Sequence, residues 1–360
     1  MIQRPDEGER ADLTKARRSG SSVTAPDLTF FVELATGPLE ALFEQPQVVP
    51  FLMAERCGVS MGLLDLSESR ASLVQRLESS GIPVTAWLLL DEKDGYWLNA
   101  DNADRARERW RETADWADRH GLRLQRVGLD VEFPRTESEG AIRDRRRAFF
   151  SMLRRRRSRE QIRDAERAYG DLVEDVRSSG RTVEAYHFPQ LLDERAAGTT
   201  LLRRSLGLVD VPVDFEVYML YSSYLGPAGA RAYFADAPGI ALGVTGGGVN
   251  ANNPDARRRF LSWERIEEDL LAAAAHTDAV YVFSLEGCVE HDLLGPIADL
   301  RWERAAQELP RREERSARRS RRLTRWLLRA EPVFDVVLPS RAAAPSESTP
   351  SPPAAPSPRS

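Results

Sequence analysis

Cysteine, lysine and histidine are all scarce in this chain. The 360 residues include 2 cysteines, Cys57 and Cys288, and 4 histidines. Two cysteines cannot build a disulfide framework or a cysteine-rich zinc site, so both classes are excluded. Lys15 and Lys93 are the only lysines, and arginine therefore supplies nearly all of the positive charge. A formal net charge of -5 gives no general electrostatic reason to bind nucleic acid, and we expect no such partner.

Long hydrophobic runs are also missing. No stretch approaches the ~20 consecutive apolar residues that a membrane-spanning helix requires. Residues 1–20 lack the apolar segment of a secretory signal. These absences lead us to expect a cytoplasmic protein. Hydrophobic residues nevertheless make up 42% of the chain, which is enough for one large core or two modest ones.

Eight short runs with the composition of β-strands alternate with helix-like segments. Segments such as Ser69–Ser80 and Asp101–His120 carry apolar residues at the three- and four-residue spacing of helices. Strands that alternate with helices pair in parallel through right-handed crossovers. The sequence therefore predicts an α/β fold, a (β/α)8 barrel of the TIM type. The eight runs are Leu28–Ala35, Val59–Leu66, Pro83–Leu90, Leu124–Phe133, Thr182–Phe188, Phe215–Ser222, Ile240–Thr245 and Ala279–Glu286.

A doubly wound open sheet is the alternative fold. Such folds carry a Gly-x-Gly-x-x-Gly turn after the first strand, but Ala35-Thr-Gly-Pro-Leu39 stands there instead. The run Gly246–Gly248 after the seventh strand continues into Val-Asn-Ala-Asn-Asn, which is not a phosphate-binding pattern either. The barrel is therefore favoured. We divide the chain into a disordered segment 1–26, the barrel 27–310, a basic helix with an apolar segment 311–338 and a disordered Pro/Ser/Ala-rich tail 339–360.

Two arginine-rich segments do not fit the minimal strand–helix unit. Glu139–Ser178 is too long for one crossover helix and predicts a broken helix or a helical insertion after the fourth strand. Arg311–Arg329 combines many arginines with Leu323, Trp326, Leu327 and Leu328. We expect a solvated helix whose Leu/Trp side packs on the barrel exterior. Contact with a membrane surface or an anionic partner is the alternative.

Acidic side chains recur near the C-terminal ends of the predicted strands, where barrels of this kind have their active sites. Asp130 and Glu132 alternate with apolar residues, so both carboxylates share one face of the fourth strand. Clustered carboxylates repel one another and lose solvent, which raises at least one pKa and suits a general acid. The alternative is that some of these acids pair with arginines or cap loops. The strand ends carry Glu33, Asp65, Asp91, Asp130, Glu132, His187, Tyr221, Thr245 and Glu286.

Aromatic side chains accompany the acids. Tyr96 and Trp97 lie on a polar loop after the third strand, where they are placed to stack on a flat apolar face, although Trp97 could also pack the loop down. Aromatic faces together with carboxylates suit the ring faces and hydroxyls of sugars. We therefore predict a carbohydrate partner. The predicted substrate-binding residues are Glu33, Asp65, Trp87, Asp91, Trp97, Tyr186, His187 and Met219.

Two short motifs resemble those of a known family. Asp130-Val-Glu132 on the fourth strand and Met219-Leu-Tyr221 on the sixth resemble the chitinase-like family 18 glycoside hydrolases. Barrels of that family end strand four in Asp-x-Asp-x-Glu and strand six in Met-x-Tyr-Asp. The resemblance implies that Glu132 is the general acid and Asp130 its electrostatic partner. It also implies that Tyr221 helps to hold an N-acetyl group that acts as the nucleophile.

The chain departs from that family at several positions, which leaves other interpretations open. Aspartates of the family are replaced by Gln125, Gly128 and Ser222. A barrel glycosidase that uses Glu132 with Glu286 or Glu33 as the second carboxylate fits the residues equally well. The glycosidase interpretations require no cofactor. We expect the carboxyls of Glu132 and Glu286 to lie towards the longer, inverting separation of ~6.5–9.5 Å, because strands four and eight face each other across a barrel.

Two further function classes remain as alternatives. Glu132, His187 and Glu286, with Asp65, resemble the metal-ligand set of xylose-isomerase-like barrels. Such a set suits Mg²⁺ or Mn²⁺ and implies sugar isomerisation or epimerisation. The last alternative is a catalytically silent barrel that only binds carbohydrate.

Overall fold

A closed barrel of eight parallel strands forms the protein, whose strands pair in the order in which they occur along the chain. The computed structural model describes residues 25–133, 156–246 and 260–337. Each predicted strand run overlaps one observed strand, so the (β/α)8 barrel is confirmed. The strands are β1 (Asp27–Val32), β2 (Gly58–Leu63), β3 (Val84–Leu88), β4 (Arg126–Asp130), β5 (Thr182–His187), β6 (Phe215–Met219), β7 (Gly239–Gly243) and β8 (Ala279–Phe283).

Helices follow the strands along the described chain. Local signals in the sequence start several of them: the Ser67 hydroxyl accepts from the backbone N–H of Arg70, and Ser158 forms a capping box with Gln161. The helices are α1 (Thr36–Glu44), α2 (Val48–Ala54), α3 (Glu68–Ser79), α4 (Ala103–His120), α5 (Arg159–Ser178), α6 (Gln190–Ala197), α7 (Leu201–Leu206), α8 (Ser222–Leu225), α9 (Pro227–Arg231), α10 (Trp263–Ala274), α11 (Leu285–Glu290), α12 (Leu294–Ala298), α13 (Arg311–Leu328) and α14 (Glu331–Val337).

Several predictions fall on residues outside the described ranges. These are residues 1–24 of the predicted disordered segment, all of the tail 339–360, residues 139–155 of the predicted insertion and residues 247–248 of the glycine run. The described part of the predicted insertion contains one long helix, α5, which leads into β5. The proposed domain boundaries stay predictions.

The alternation of side chains along each strand divides the core into two layers. In β1, Phe30 and Val32 pack in the large apolar cluster beneath the helices, whereas Phe31 belongs to a second cluster inside the barrel. The interior is filled with side chains, as in other barrels of this size. The interior cluster consists of Phe31, Trp87, Leu89, Tyr96, Trp97, Tyr186, Val217, Met219, Ala241 and Tyr281.

One carboxylate is buried deep inside the barrel among these rings. Glu184 is fully buried, and its two oxygens accept hydrogen bonds from the hydroxyls of Tyr186 at 2.7 Å and Tyr281 at 2.9 Å. Because the Tyr186 hydroxyl donates to Glu184, the Ser60 hydroxyl at 2.6 Å must donate to Tyr186. Burial raises the pKa of Glu184, and the hydrogen bond from Tyr186 opposes that rise. This network gives both oxygens of Glu184 and the hydroxyls of Tyr186 and Tyr281 hydrogen-bond partners inside the barrel.

Helix α13 docks on the barrel through arginines and not through its Leu/Trp side. It packs against α6 and α9. Arg321 and Arg325 both contact the buried carboxylate of Asp193, at 2.9 and 2.8 Å. Leu328 packs against Leu201 and is 6% exposed, but the expectation that the Leu/Trp side packs on the barrel is wrong for Leu323, Trp326 and Leu327. The solvent-exposed fractions are 57% for Leu323, 65% for Trp326 and 44% for Leu327.

Candidate functional site

Four carboxylates gather at the C-terminal mouth of the barrel. Glu33 follows β1, Asp130 ends β4, Glu132 lies two residues further on the same face, and Glu286 is in the first turn of α11 after β8. The backbone N–H of Glu33 donates to Oε1 of Glu286 at 3.3 Å. The negative charge of Glu33 raises the pKa of Asp130, Glu132 and Glu286, because it lies close enough to repel the ionised form of each. We call Glu33, Asp130, Glu132 and Glu286 the carboxylate cluster.

Burial and mutual repulsion keep protons on this cluster near neutral pH. Burial, and then the charge of Glu33, raises the pKa of Glu132 to about 8. Burial likewise raises the pKa of Glu286 to about 7. Asp130 is 2% exposed, and burial followed by the charges of Glu132 and Glu33 raises its pKa well above the usual range. A carboxyl with a pKa of about 8 is protonated at pH 7 and can donate a proton.

Asp130 has an aromatic neighbour inside the barrel. The indole N–H of Trp87 lies near enough to oppose part of the rise in the pKa of Asp130. Neither the indole nitrogen nor Oδ1 of Asp130 makes a hydrogen bond of normal geometry with the described residues. Both atoms therefore keep hydrogen-bonding capacity at the base of the mouth.

Tyr96 is a member of the site whose contact with Glu33 the sequence did not indicate. Its hydroxyl donates to Oε1 of Glu33 at 2.5 Å. Its backbone has φ 66°, a left-handed conformation that is uncommon for residues other than glycine. An edge-to-face contact with Trp97, at a ring separation of 5.5 Å, packs against it. The loop after β3 therefore delivers a hydroxyl to the carboxylate cluster.

The other aromatic residues predicted for the site take different positions. Tyr221 is half-buried beside the cluster: burial raises its pKa, and the charges of Glu132 and Asp130 raise it further. Trp97 is 9% exposed and packs on Tyr96. The predicted residues Trp87, Tyr186 and Met219 are all buried in the interior cluster.

The position of Tyr186 explains one departure from the family 18 motif. A Cβ atom on Gly128 would lie 2.3 Å from the Tyr186 hydroxyl oxygen and 2.8 Å from Cζ of its ring. Only glycine fits beneath a ring at that distance. Where the family has an aspartate, this chain therefore has a tyrosine from the neighbouring strand filling the space.

Asp65 and Asp91 are held by contacts outside the carboxylate cluster. Asp65 accepts hydrogen bonds from the buried Arg70 guanidinium at 3.0 Å and from the Thr36 hydroxyl at 2.6 Å. Burial by itself would raise the pKa of Asp65, but hydrogen bonds, led by that from Arg70, hold it below the usual range. Asp91 is exposed and lies 3.4 Å from Lys93. The arginine pairing that the sequence left as an alternative therefore describes Asp65.

His187 does not join the mouth, which corrects the sequence prediction. Glu184 and Tyr186 point into the barrel, and alternation turns His187 outward beneath the helices. Its ring lies 5.9 Å from that of Tyr218, and burial lowers the pKa of His187 to about 4. The isomerase ligand set is therefore not assembled. Within residues 25–133, 156–246 and 260–337, no group of three or more His, Cys, Asp or Glu side chains is arranged to hold a metal ion.

Comparisons with known proteins add no assignment to this geometry. No family model and no curated protein matches the chain. A solved L-ribulose 3-epimerase is 15% identical over 89% of this chain and 100% of its own, with a TM-score of 0.40. A chitinase from Rhizomucor miehei is 13% identical over 76% and 100%, with a TM-score of 0.45. A PgaB glycoside hydrolase domain from Bordetella bronchiseptica is 9% identical over 77% and 99%, with a TM-score of 0.44. Likenesses this low carry no argument about function, and the barrel is established by its own strand order.

Proposed function

We propose that this protein is a glycoside hydrolase-like enzyme in which Glu132 protonates the oxygen of the leaving group. The observation that carries the proposal is the elevated pKa of Glu132, about 8, at the mouth of a (β/α)8 barrel. A general acid works best when its pKa lies near the working pH. The side chain of Glu132 is partly exposed, and the proposal requires that a substrate reach it from the mouth of the barrel.

In the proposed reaction, the proton of Glu132 passes to the glycosidic oxygen as the bond to the anomeric carbon breaks. The bonding electron pair leaves with that oxygen, and positive charge develops at the anomeric carbon. Asp130, buried two residues before Glu132 on the same face, stabilises this positive charge when it is ionised. The tyrosine hydroxyl of Tyr221 is placed to bind a substrate group beside the two acids.

The attack on the anomeric carbon has two candidate sources. The resemblance to family 18 favours an N-acetyl group of the substrate, held with the help of Tyr221. The alternatives involve the carboxylates of Glu286 and Glu33, because both lie in the carboxylate cluster. Such a carboxylate either attacks the anomeric carbon itself or takes the proton of a water that attacks it, and on the routes that form an intermediate a water then completes the hydrolysis. A Glu286→Gln variant separates the two routes. It keeps most activity on N-acetylhexosaminides under the substrate-assisted route and loses it when Glu286 is the second carboxylate.

The central test is Glu132→Gln assayed on a panel of aryl glycosides with and without N-acetyl groups. Removal of a general acid is expected to lower kcat by about 10²- to 10⁴-fold. Glu44→Gln, at an exposed position at the end of α1, is the matched control and should leave kcat unchanged. Equal turnover by the wild type and Glu132→Gln would refute the assignment. Sugar binding without turnover of any substrate would instead favour the silent carbohydrate-binding barrel.

A further inference from the structure

Helix α13 presents a face that combines arginine with large apolar side chains. Residues three, four and seven apart lie on the same side of a helix. The N-terminal half of this side carries arginines, and the C-terminal half carries Leu323, Trp326 and Leu327, all of which are exposed. We define the outward face of α13 as Arg312, Arg315, Arg319, Leu323, Trp326 and Leu327.

The docking of α13 fixes the direction of this face. Leu328 is buried at 6% exposure, and Arg321 lies over the ring of Tyr233 at 3.8 Å while it pairs with Asp193. These contacts lie on the side of the helix opposite the outward face, because the helix turns by about 100° per residue. The outward face therefore points away from the barrel.

The charge on this face is unbalanced. Among the residues that the structure describes, Arg312, Arg315 and Arg319 form no ion pair. The acidic residues of the helix, Glu313 and Glu314, lie about 100° and 200° around the axis from Arg312. They cannot neutralise the arginines of the outward face, so this face is locally positive although the chain has a net charge of -5.

We propose that the outward face of α13 binds the surface of an anionic lipid bilayer. Guanidinium groups attract anionic headgroups, while tryptophan and leucine insert at the boundary between headgroups and acyl chains. Two copies of the face packed in parallel would bring arginines against arginines, and two packed antiparallel would set arginines against Leu/Trp side chains without an acidic partner. Both arrangements disfavour self-association through this face. Among the described residues no helix is long and apolar enough to cross a membrane, and the proposed contact lies along the surface.

The test is flotation of the full-length protein with vesicles of phosphatidylcholine alone or mixed with phosphatidylglycerol. We expect binding only to the anionic vesicles, with weaker binding at high salt because salt screens the arginines. Trp326→Ser should weaken the partition by about tenfold, since apolar burial supplies part of the affinity. Met53→Ser changes a side chain that is 51% exposed on another helix, and it should have no effect.

A second variant tests the contribution of the arginine charges to binding. Arg315→Gln combined with Arg319→Gln should abolish the preference for anionic lipid, whereas Arg76→Gln on α3 should not. Failure to float with anionic vesicles would overturn the proposal. Equal flotation of the wild type and Trp326→Ser would overturn it as well. A lipid-free dimer that Trp326→Ser dissociates, measured by light scattering, would assign the face to a second copy of this chain instead.

Discussion

Replacing Glu132 with glutamine is expected to stabilise the folded protein as well as to stop its turnover. The pKa of Glu132 is raised from 4.5 to about 8, because burial and the charge of Glu33 disfavour the carboxylate. The unfolded chain releases this proton above pH 4.5, whereas the folded protein retains it until about pH 8. Wild-type stability is therefore lost as the pH rises through this window. Glutamine has the shape of the protonated acid and carries no such penalty.

The magnitude follows from the two pKa values. With about 1.36 kcal/mol for each pKa unit, the expected gain for Glu132→Gln is about 1 kcal/mol at pH 5 and about 4 kcal/mol at pH 8. Glu132 is half-buried, so solvent screens part of this penalty. Halving the values for that screening gives less than about 1 kcal/mol at pH 5 and about 2 kcal/mol at pH 8.

The measurement is urea unfolding of the wild type and Glu132→Gln at a series of pH values from 4 to 9. The difference in the free energy of unfolding should be near zero at the acidic end and should grow with pH. Glu44→Gln should show no such growth, because this side chain is exposed. A difference that is constant across the series, or a glutamine variant that is less stable at pH 8, would refute the assignment of a protonated Glu132.

Three further outcomes are expected. Gly128→Ala should lower the free energy of unfolding in urea by about 3 kcal/mol, because its Cβ would lie 2.3 Å from the Tyr186 hydroxyl. Combining it with Tyr186→Phe should reduce that cost, and losses in the double variant that equal the sum of the two single losses would contradict the steric explanation. Tyr96→Phe removes the hydroxyl that donates to Glu33 and should lower kcat by about tenfold; unchanged kinetics would show that this hydrogen bond is dispensable. Asp65→Asn should lower the thermal stability at pH 7, because the ion pair with Arg70 holds the pKa of Asp65 below its usual range and stabilises the fold while the acid is ionised. The loss should shrink as the pH falls below about 3.8, where protonation begins to break the same pair in the wild type; a loss that does not change with pH in thermal unfolding would argue against the charge pairing.

The fold and the acidic pair could be predicted because both depend on local periodicity. Alternation of side chains along a strand is a property of neighbouring residues, so Asp130 and Glu132 could be placed on one face without coordinates. Repeated strand and helix patterns similarly predicted the barrel. The same alternation would have predicted that His187 faces outward, away from the mouth. Glu184 and Tyr186 already share the inward face of β5, and His187 follows Tyr186 directly, so it must face outward.

The remaining contacts could not be predicted because they join distant parts of the chain. The hydrogen bond between Tyr96 and Glu33 spans 63 residues and depends on a left-handed turn at a tyrosine. Gly128 gives no sign in the sequence that a ring from the next strand covers it. The sequence also did not predict which face of α13 packs on the barrel. A helical pattern shows that arginines and Leu/Trp residues lie on different faces, but it does not show which of them has contacts in the rest of the protein. The ion pair between Arg321 and the buried Asp193 turns the arginine face towards the barrel.

The aromatic interior cluster limits how a ligand can enter and leave the barrel. Phe31, Trp87 and Tyr186 meet edge to face, with ring separations between 4.8 and 6.1 Å. Tyr186 and Tyr281 also donate hydrogen bonds to the buried Glu184, so side chains fill the barrel interior. A molecule that reaches Asp130 must leave by the route through which it arrived. Product and substrate of the proposed reaction would consequently share the mouth of the barrel. Substrate that occupies this mouth at high concentration would slow product release and lower the turnover rate.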